Sequence, residues 1–450
     1  ADAVVFVADS QAPALETNKE SFQNLIENLK DQGTDLEKIP HVIQRNTRDT
    51  PNALPIATLE QEVNKFHVPT IELPYTLVTS PLSSRLHPAR LACLKAALLT
   101  VPFEVFRGET MLITGARGYF GRYVVEAFLL LNELHGLNVE IIALDCDATG
   151  TGDQWSEWRG LPHLTTMKHN VQHDLGTLYG QKPNYIFHLA GIASPHWYKK
   201  LPLETIDVAV VGTRKMLELA KDTGAKLVFT SSSEVYQTAS VVPTPESYVG
   251  AVPTDSDRSC YDVSKLMAET LCYVYAQMGV RVSVARVFNS LGPGMAQSDK
   301  RILTRIAEAV KRGEDVTVYA PELELTNNQF LENTLRHSAL PSRTYTPVAT
   351  TLRGLLFVAL RGESFGKAGP ASGVYNIGST APELSVPELV ELHFGATVRC
   401  KFVPPPPEYV TEPLRRCPDT KALHALGFTE AMSLKEGLEY FFTWALETYR

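Results

Sequence analysis

Residues 111–129 read MLITGARGYFGRYVVEAFL: an apolar run, a turn holding Gly115, Gly118 and Gly121, and then a helical pattern. A strand that turns through glycines into a helix gives backbone room for a pyrophosphate and aims the positive helix N-terminus at it. A GxxGxxG string alone is weak, but here the context is right on both sides. The segment therefore predicts an α/β fold, a Rossmann-type doubly wound parallel sheet that binds a dinucleotide.

From Met111 onward, short β-rich runs alternate with helical patterns, the sign of parallel strands joined by crossover helices. Strands are expected at 111–113, 139–144, 165–168, 184–189, 226–230 and 282–288. The second ends in IIALDCD, so Asp145 falls where an acidic residue chelates an adenosine ribose diol. A carboxylate there repels a 2′-phosphate and no arginine follows it, which favours NAD over NADP. After about 290 the alternation loosens into a smaller C-terminal portion with a Pro run at 404–407 and a helix-rich tail from Leu434.

The formal charge of −8 comes with no dense basic stretch, which argues against a nucleic-acid partner. An anionic ligand must be held by a few local cations and backbone amides. Six scattered cysteines (Cys93, Cys146, Cys260, Cys272, Cys400, Cys417) form no close zinc or redox pair, so reduced thiols and a cytoplasmic setting are expected. No apolar run is long enough to span a membrane, the opening ADAVVFVADS reads as a buried strand rather than a signal peptide, and no ligand cluster suggests a metal.

Three further pieces fall at ends of expected strands: HLAGIASP (188–195), FTSSSEVY (229–236) and CYDVSK (260–265). In the last, Tyr261 and Lys265 lie four apart on one helix face. A phenol with a pKa near ~10 is a poor base at neutral pH, but a neighbouring ammonium and a nicotinamide cation both stabilise its phenolate. Such a tyrosine accepts a hydroxyl proton while hydride leaves. His188 reads as a packed strand residue.

Together these motifs resemble the extended short-chain dehydrogenases over nearly all of residues 110–450. The match is closest to UDP-glucuronate decarboxylases (UDP-xylose synthases), through ASPHWYKKLPLET, SSSEVY, SCYDVSKLMAETLCYVYA, VARVFNSLGPGM, DVTVYA and RRCPDTKAL. The resemblance implies NAD contacts at Gly115, Arg117, Gly118, Tyr119, Phe120, Gly121, Asp145, Asn170, Val171, Leu189, Ala190, Gly191, Tyr261 and Lys265. It implies a nucleotide-sugar site, UDP favoured, with Pro195, Tyr198, Asn289, Arg301, Tyr319 and Arg343. Ser232 would bond the sugar's 4-hydroxyl, Ser233 and Glu234 would lie beside a substrate carboxylate, and Arg343 would assist decarboxylation. A C4 ketone makes a C5 carboxylate a β-keto acid. Tyr261 would be the base, Lys265 would lower its pKa, and Glu234 or a water would handle the C5 proton. A homodimer is implied, through the helix holding Tyr261 and one around 206–222, where Leu266, Met267, Leu271 and Val274 recur on helical spacing.

The sequence departs from that pattern at Val263, Ser264 and Leu266, at Gly294, at Ala209, and in a stretch, 321–341, inserted before Arg343. These leave the oxidation machinery whole and put the substrate at issue. 4,6-Dehydration or 4-epimerisation of a nucleotide sugar, and a non-catalytic NAD-binding scaffold, stand as alternatives.

Residues 1–67 form a separate α/β fragment, with an apolar run at 2–8, helical stretches at 18–30 and 56–65 and a strand near 41–44. VVFVADSQ, NKESFQNLIENLKDQG and HVIQRNTRDTPNALP resemble the second half of bacterial Ras-like GTPases of the gliding-motility class. Thr47 stands where the lysine of the guanine-reading motif (Asn46 to Asp49) would be, and no GxxxxGK[ST] loop occurs, so GTP hydrolysis is not expected. Residues 68–107, with a helix-like run at Ala89–Leu99, read as a connector packed on the larger C-terminal part of the chain. Residues 108–290 read as the NAD-binding domain and 291–450 as mainly the nucleotide-sugar portion.

Overall fold

The computed structural model describes residues 4–9, 15–31, 41–46, 70–72, 81–149, 155–174, 182–320, 340–405 and 414–450. The helix expected at 56–65, the Thr47–Asp49 part of the guanine-motif match and nearly all of the 321–341 insertion lie outside these residues. The chain divides into two compact units, Ala1–Pro81 and Leu82–Arg450. In the first, β1 (Val4–Asp9), α1 (Leu15–Asp31), β2 (His41–Asn46) and β3 (Thr70–Glu72) build a three-stranded parallel sheet in the order β1-β2-β3.

The second unit begins earlier than the glycine turn. Helix α2 (Pro88–Leu98), expected as part of a connector, is core: Leu94 and Ala97 are fully buried. Pro88 fits the first turn, where its missing N–H costs nothing. Arg90 reaches a fully buried Glu126 at 2.8 Å, and the Arg353 guanidinium closes the far end by donating to the carbonyls of Ala97 (3.0 Å) and Glu430 (2.9 Å).

Behind it lies the central sheet, seven parallel strands in the order β10-β9-β8-β7-β4-β5-β6. These are β4 (Thr110–Thr114), β5 (Glu140–Asp145), β6 (Leu164–Lys168), β7 (Tyr185–His188), β8 (Lys226–Ser232), β9 (Val282–Val287) and β10 (Val374–Ile377). Helices cover both faces, so Met111–Thr114 and Val282–Val287 are buried without the alternation of a half-exposed strand. The order reverses at β4, which pairs β5 on one side (Thr114 opposite Leu144) and β7 on the other (Thr114 opposite His188). That reversal opens a crevice at the carboxyl ends of the strands. Strand β10 is an addition to the six expected strands. It pairs with β9 after the chain has crossed the sugar-side portion, and it is only four residues long between Gly373 and Gly378.

Around that crevice the helices are α3 (Tyr119–His135), α4 (Thr213–Thr223), α5 (Ser259–Gln277), α6 (Ile302–Arg312), α7 (Val348–Arg361) and α8 (Leu434–Thr448). The smaller portion packs α6 and α8 through Leu303, Ile306, Phe441 and Phe442. It also carries a three-stranded patch in which Ser342–Thr344 pairs antiparallel with Glu383–Ser385 and parallel with Arg415–Arg416. Among the described residues, no helix is long and apolar enough to cross a membrane.

Candidate active site

The glycine turn links β4 to α3. Gly115 has φ +65°, and a Cβ there would stand 2.7 Å from the Ala190 nitrogen. A Cβ on Gly121 would enter the Gly115 carbonyl, so the first turn of α3 can close on the strand only with glycine at both places. The Gly118 N–H donates to the Gly115 carbonyl at 2.9 Å, and Gly118 caps α3 in an extended conformation. Asp145 ends β5 and accepts from the N–H of Arg117 (2.9 Å) and of Asp147 (3.0 Å). Each of its oxygens keeps a second lone pair for a diol. The Arg117 guanidinium pairs with Asp147 and lies 5.4 Å from the Trp155 ring centre. Val171 is buried, with its Cγ2 2.7 Å from where a Gly212 Cβ would stand, while Asn170 holds the same loop by accepting from the Gln172 N–H at 3.0 Å. A cradle that any Cβ would fill, with a helix N-terminus above and a carboxylate at its rim, fits NAD.

His188 is neutral. Burial and the nearby Lys265 push its pKa down to about 3, and its nitrogens bond Thr114 Oγ1 (2.7 Å) and Thr213 Oγ1 (3.1 Å). Thr114 Oγ1 in turn accepts from the Ala190 N–H at 3.2 Å, so His188 braces the 189–191 segment against the glycine turn.

Across the crevice, Tyr261 and Lys265 sit on α5. Burial, with the nearby Glu234 and Asp262 carboxyls, pushes the Tyr261 phenol up to about 12 even though a hydrogen bond with Ser232 and the Arg301 charge favour the phenolate. Burial brings the Lys265 ammonium down to about 8. Lys265 Nζ donates to the Thr230 carbonyl at 2.8 Å and stands 5.9 Å from the Tyr261 ring centre. Tyr198, expected as a substrate contact, is buried with its ring stacked on Tyr261 at 5.5 Å; its place makes it a support for the phenol. Pro195 starts the short 195–198 helix that carries it.

Glu234 departs most from expectation. Both of its carboxylate oxygens are taken by the Arg416 guanidinium and one also by Arg258, with Arg343 adding positive charge. These cations outweigh burial and hold it ionised, its pKa about 2. A carboxylate so gripped is a poor proton carrier. Its neighbour Asp262 moves the other way, up to about 7, through burial and the Glu234 charge, although Arg258 and Gln237 both reach its Oδ2. Sequence reasoning missed Arg258, Arg416 and Asp262 as site residues. The signal was present: Arg258 lies one helical turn before Tyr261, and Arg416 lies within RRCPDTKAL. A glutamate buried beside them needs a cation.

Ser233 is buried, 3.5 Å from Arg416 Nη1. Arg343 lies opposite Arg416 in the parallel register and donates to the Ser342 carbonyl at 3.0 Å. Arg301 caps α6 and grips Asp299. Asn289 is half-buried at the end of β9, and Tyr319 lies beneath Arg305 at 4.9 Å. Ser232, Glu234, Tyr261, Arg301 and Arg343 thus come together electrostatically at one mouth of the crevice. No group of three or more His, Cys, Asp or Glu placed to hold a metal occurs among the described residues.

Residues 111–378 match the NAD dependent epimerase/dehydratase family. The chain belongs to that family. Its NAD-dependent epimerase/dehydratase fold is shared with UDP-glucose 4-epimerase of Thermotoga maritima (TM-score 0.61, 21% identity, 76% of this chain and 100% of that one). It is shared equally with UDP-glucuronic acid 4-epimerase of Bacillus cereus, solved with NAD (TM-score 0.59, 20% identity, 76% and 100%). In sequence the chain is 34% identical over 333 residues to UDP-glucuronic acid decarboxylase 5 of Arabidopsis thaliana, covering 73% of this chain and 86% of that protein. It is 32% identical over 334 residues to UDP-glucuronic acid decarboxylase 1 of Xenopus tropicalis, covering 73% and 70%. As a member of this family the chain is an NAD-dependent enzyme, and NAD is the group the 115–121 cradle fits.

Proposed function

We propose that this enzyme decarboxylates UDP-glucuronate through a transient 4-keto sugar. The observation that carries the reading is the meeting of a Ser232–Tyr261–Lys265 set with three arginines around Glu234, next to an NAD cradle; the sequence relatives point the same way. Bound NAD supplies the hydride acceptor for C4 and, once reduced, the donor that closes a redox-neutral cycle. Ser232 and Tyr261 hold the C4 hydroxyl, and Tyr261 takes its proton as C4 is oxidised. Lys265, anchored on the Thr230 carbonyl, keeps positive charge beside the phenolate. The C4 ketone makes the C5 carboxylate a β-keto acid, and loss of CO2 leaves an enolate that is reprotonated at C5. Incubation with UDP-glucuronate and NAD, followed by mass analysis, tests this: neither CO2 nor a pentose or 4-keto pentose product would remove it.

A homodimer is the assembly proposed. In its support, Met267 and Val274 on α5, with Ile206 and Val211 before α4, are exposed apolar side chains. Sedimentation of wild type and Met267→Glu checks it: a monomeric wild type ends the idea. The NAD-binding and sugar-binding portions are proposed to meet near residue 290, and a reducing cytoplasmic setting agrees with six cysteines that form no disulfide. Residues 1–67 are proposed as a GTPase-like piece without hydrolytic function; the parallel β1–β2 pairing agrees with that origin. Tight magnesium-dependent GTP binding to the chain would overturn it.

A further inference from the structure

Three residues one turn apart on α5 meet three consecutive residues of β8. Tyr261 bonds Ser232, Lys265 Nζ donates to the Thr230 carbonyl at 2.8 Å, and the Ser231 hydroxyl donates to Glu269 Oε1 at 2.5 Å. The proposed proton transfer uses the first two contacts and leaves Glu269 unassigned. Glu269 is itself held in a fork, Arg286 Nε reaching its Oε1 at 2.9 Å and Nη2 its Oε2 at 2.7 Å. The same guanidinium donates to the Tyr236 hydroxyl and to the Glu246 carbonyl, both at 2.8 Å. Tyr236 in turn donates to the side chain of Asn376 on β10 at 2.7 Å. Ser231, Glu269, Arg286, Tyr236 and Asn376 are all buried, so one polar network ties α5 to β8, β9 and β10.

A buried ion pair adds little stability over an apolar pair of similar volume, so stability does not account for this one. Its place does. We propose that Glu269 is a positioning residue: it holds Ser231, and with it the Thr230 carbonyl and the Ser232 hydroxyl on either side, in register with Tyr261 and Lys265. Its carboxylate also supplies the negative charge opposed to the Lys265 ammonium. The groups facing Lys265 are few: Tyr261, Glu269 and Cys272 on α5, His188 on β7, and the Thr230 carbonyl and Phe229 ring on β8. Burial keeps His188 neutral and Cys272 a thiol, so among the described residues Glu269 is the carboxylate that faces the ammonium. Burial draws Lys265 down to about 8, and Glu269 limits that fall. The inference rests on the proposed roles of Ser232, Tyr261 and Lys265, and not on which nucleotide sugar is bound.

The test is titration of Lys265 itself in the full NAD-loaded chain, followed by the NMR signal of isotope-labelled lysine Cε and assigned by its loss in Lys265→Met. Glu269→Gln is expected to lower the Lys265 pKa by about one unit or more. The alkaline limb of kcat with UDP-glucuronate should move down with it, kcat above that limb falling about tenfold while KM changes less than about twofold. Should Glu269→Gln fail to fold, Glu269→Met with Arg286→Met, which removes both charges, takes its place. The same shift is then expected, with a denaturant midpoint near that of the wild type. Ser231→Ala, which removes only the anchor on β8, should lower kcat about threefold or more at every pH and leave the Lys265 pKa in place. A purely structural role predicts that the apolar pair titrates and turns over as the wild type does. That result, an unmoved limb in either Glu269 variant, or wild-type kcat in Ser231→Ala would overturn the inference. The titration needs no substrate, so the two readings fail separately. A shifted Lys265 without CO2 release by the wild type sustains this inference and sinks the decarboxylase reading; CO2 release with Lys265 unshifted sinks this inference alone.

Discussion

The ring of Tyr198 lies flat against that of Tyr261, with centroids 5.5 Å apart and planes inclined by 10°. Tyr198 is 1% exposed, so the stack is a wall that fixes the plane of the phenol. Tyr198→Phe keeps the ring and is expected to leave kcat within about threefold. Tyr198→Ala empties the wall, at about 3–5 kcal/mol of stability, and lowers kcat about tenfold or more by letting Tyr261 tilt. Denaturant unfolding and steady-state rates check both. Loss of activity in Tyr198→Phe would show that the hydroxyl, not the stack, matters.

Tyr261→Phe removes the phenol that bonds Ser232, the proton acceptor of the proposed mechanism. On the proposed mechanism kcat falls about 10²–10⁴-fold, while NAD binding, which depends on the 115–121 cradle and Asp145, stays near the wild-type value. Product formation and NAD titration on the same preparation separate the two. A drop below about tenfold would mean that another group takes the C4 proton.

Two glycines with unlike surroundings should respond differently to alanine. A Cβ at Gly121 would enter the Gly115 carbonyl, and backbone cannot rotate away, so Gly121→Ala is expected to lose NAD binding. Gly224 closes α4 at φ +75° with nothing within 4 Å. There alanine meets only left-handed strain, about 1–2 kcal/mol, with NAD affinity unchanged. Near-equal NAD affinity in the two variants would contradict the cradle.

Legibility followed the length of the local signal. Six of the seven central strands were readable because each is an apolar run followed by a turn and a helical pattern, and Ser232, Tyr261 and Lys265 lie within such runs. Strand β10 has four residues and pairs with β9 across a long excursion, so nothing local marks it. The Glu234 clamp was hidden for the same reason: Arg416 lies 182 positions away and meets Glu234 only through the Ser342–Thr344 patch. Resemblance points to Tyr198 as a sugar contact, whereas its burial is a property of the packed 195–198 helix.

The clamp also sets a pH dependence whose direction follows from which state holds the proton. Glu234 has its folded pKa depressed from 4.5 to about 2, so its stabilising contribution is present above 4.5 and is lost as pH falls toward 2. Asp262 has its folded pKa raised from 3.8 to about 7, so its contribution is present below 3.8 and is lost as pH rises through 7. Unfolding free energy should therefore fall less on acidification below about pH 4 in Glu234→Gln than in wild type. Between about pH 4 and 7, Asp262→Asn should hold its stability while wild type declines. Parallel curves for wild type and both variants would show that neither carboxyl is perturbed.

Helix α2 gives the last expectation, since it lies before the family match at 111–378 and yet inside the core. Arg90 and Glu126 pair at 2.8 Å in a setting where Arg90 also lies 5.3 Å from the Tyr123 ring, close behind the glycine turn. Burial raises the Glu126 carboxyl despite its partner, so removing the guanidinium alone strands a costly group. Arg90→Met is expected to destabilise by about 3–5 kcal/mol, and Arg90→Met with Glu126→Met to recover most of that loss, because the desolvation cost leaves with the pair. A chain starting at Leu82 should unfold like the intact second unit, whereas one starting at Thr110 should lose the cooperative transition and with it NAD binding. Retained cooperativity in the shorter chain would return α2 to the status of a connector.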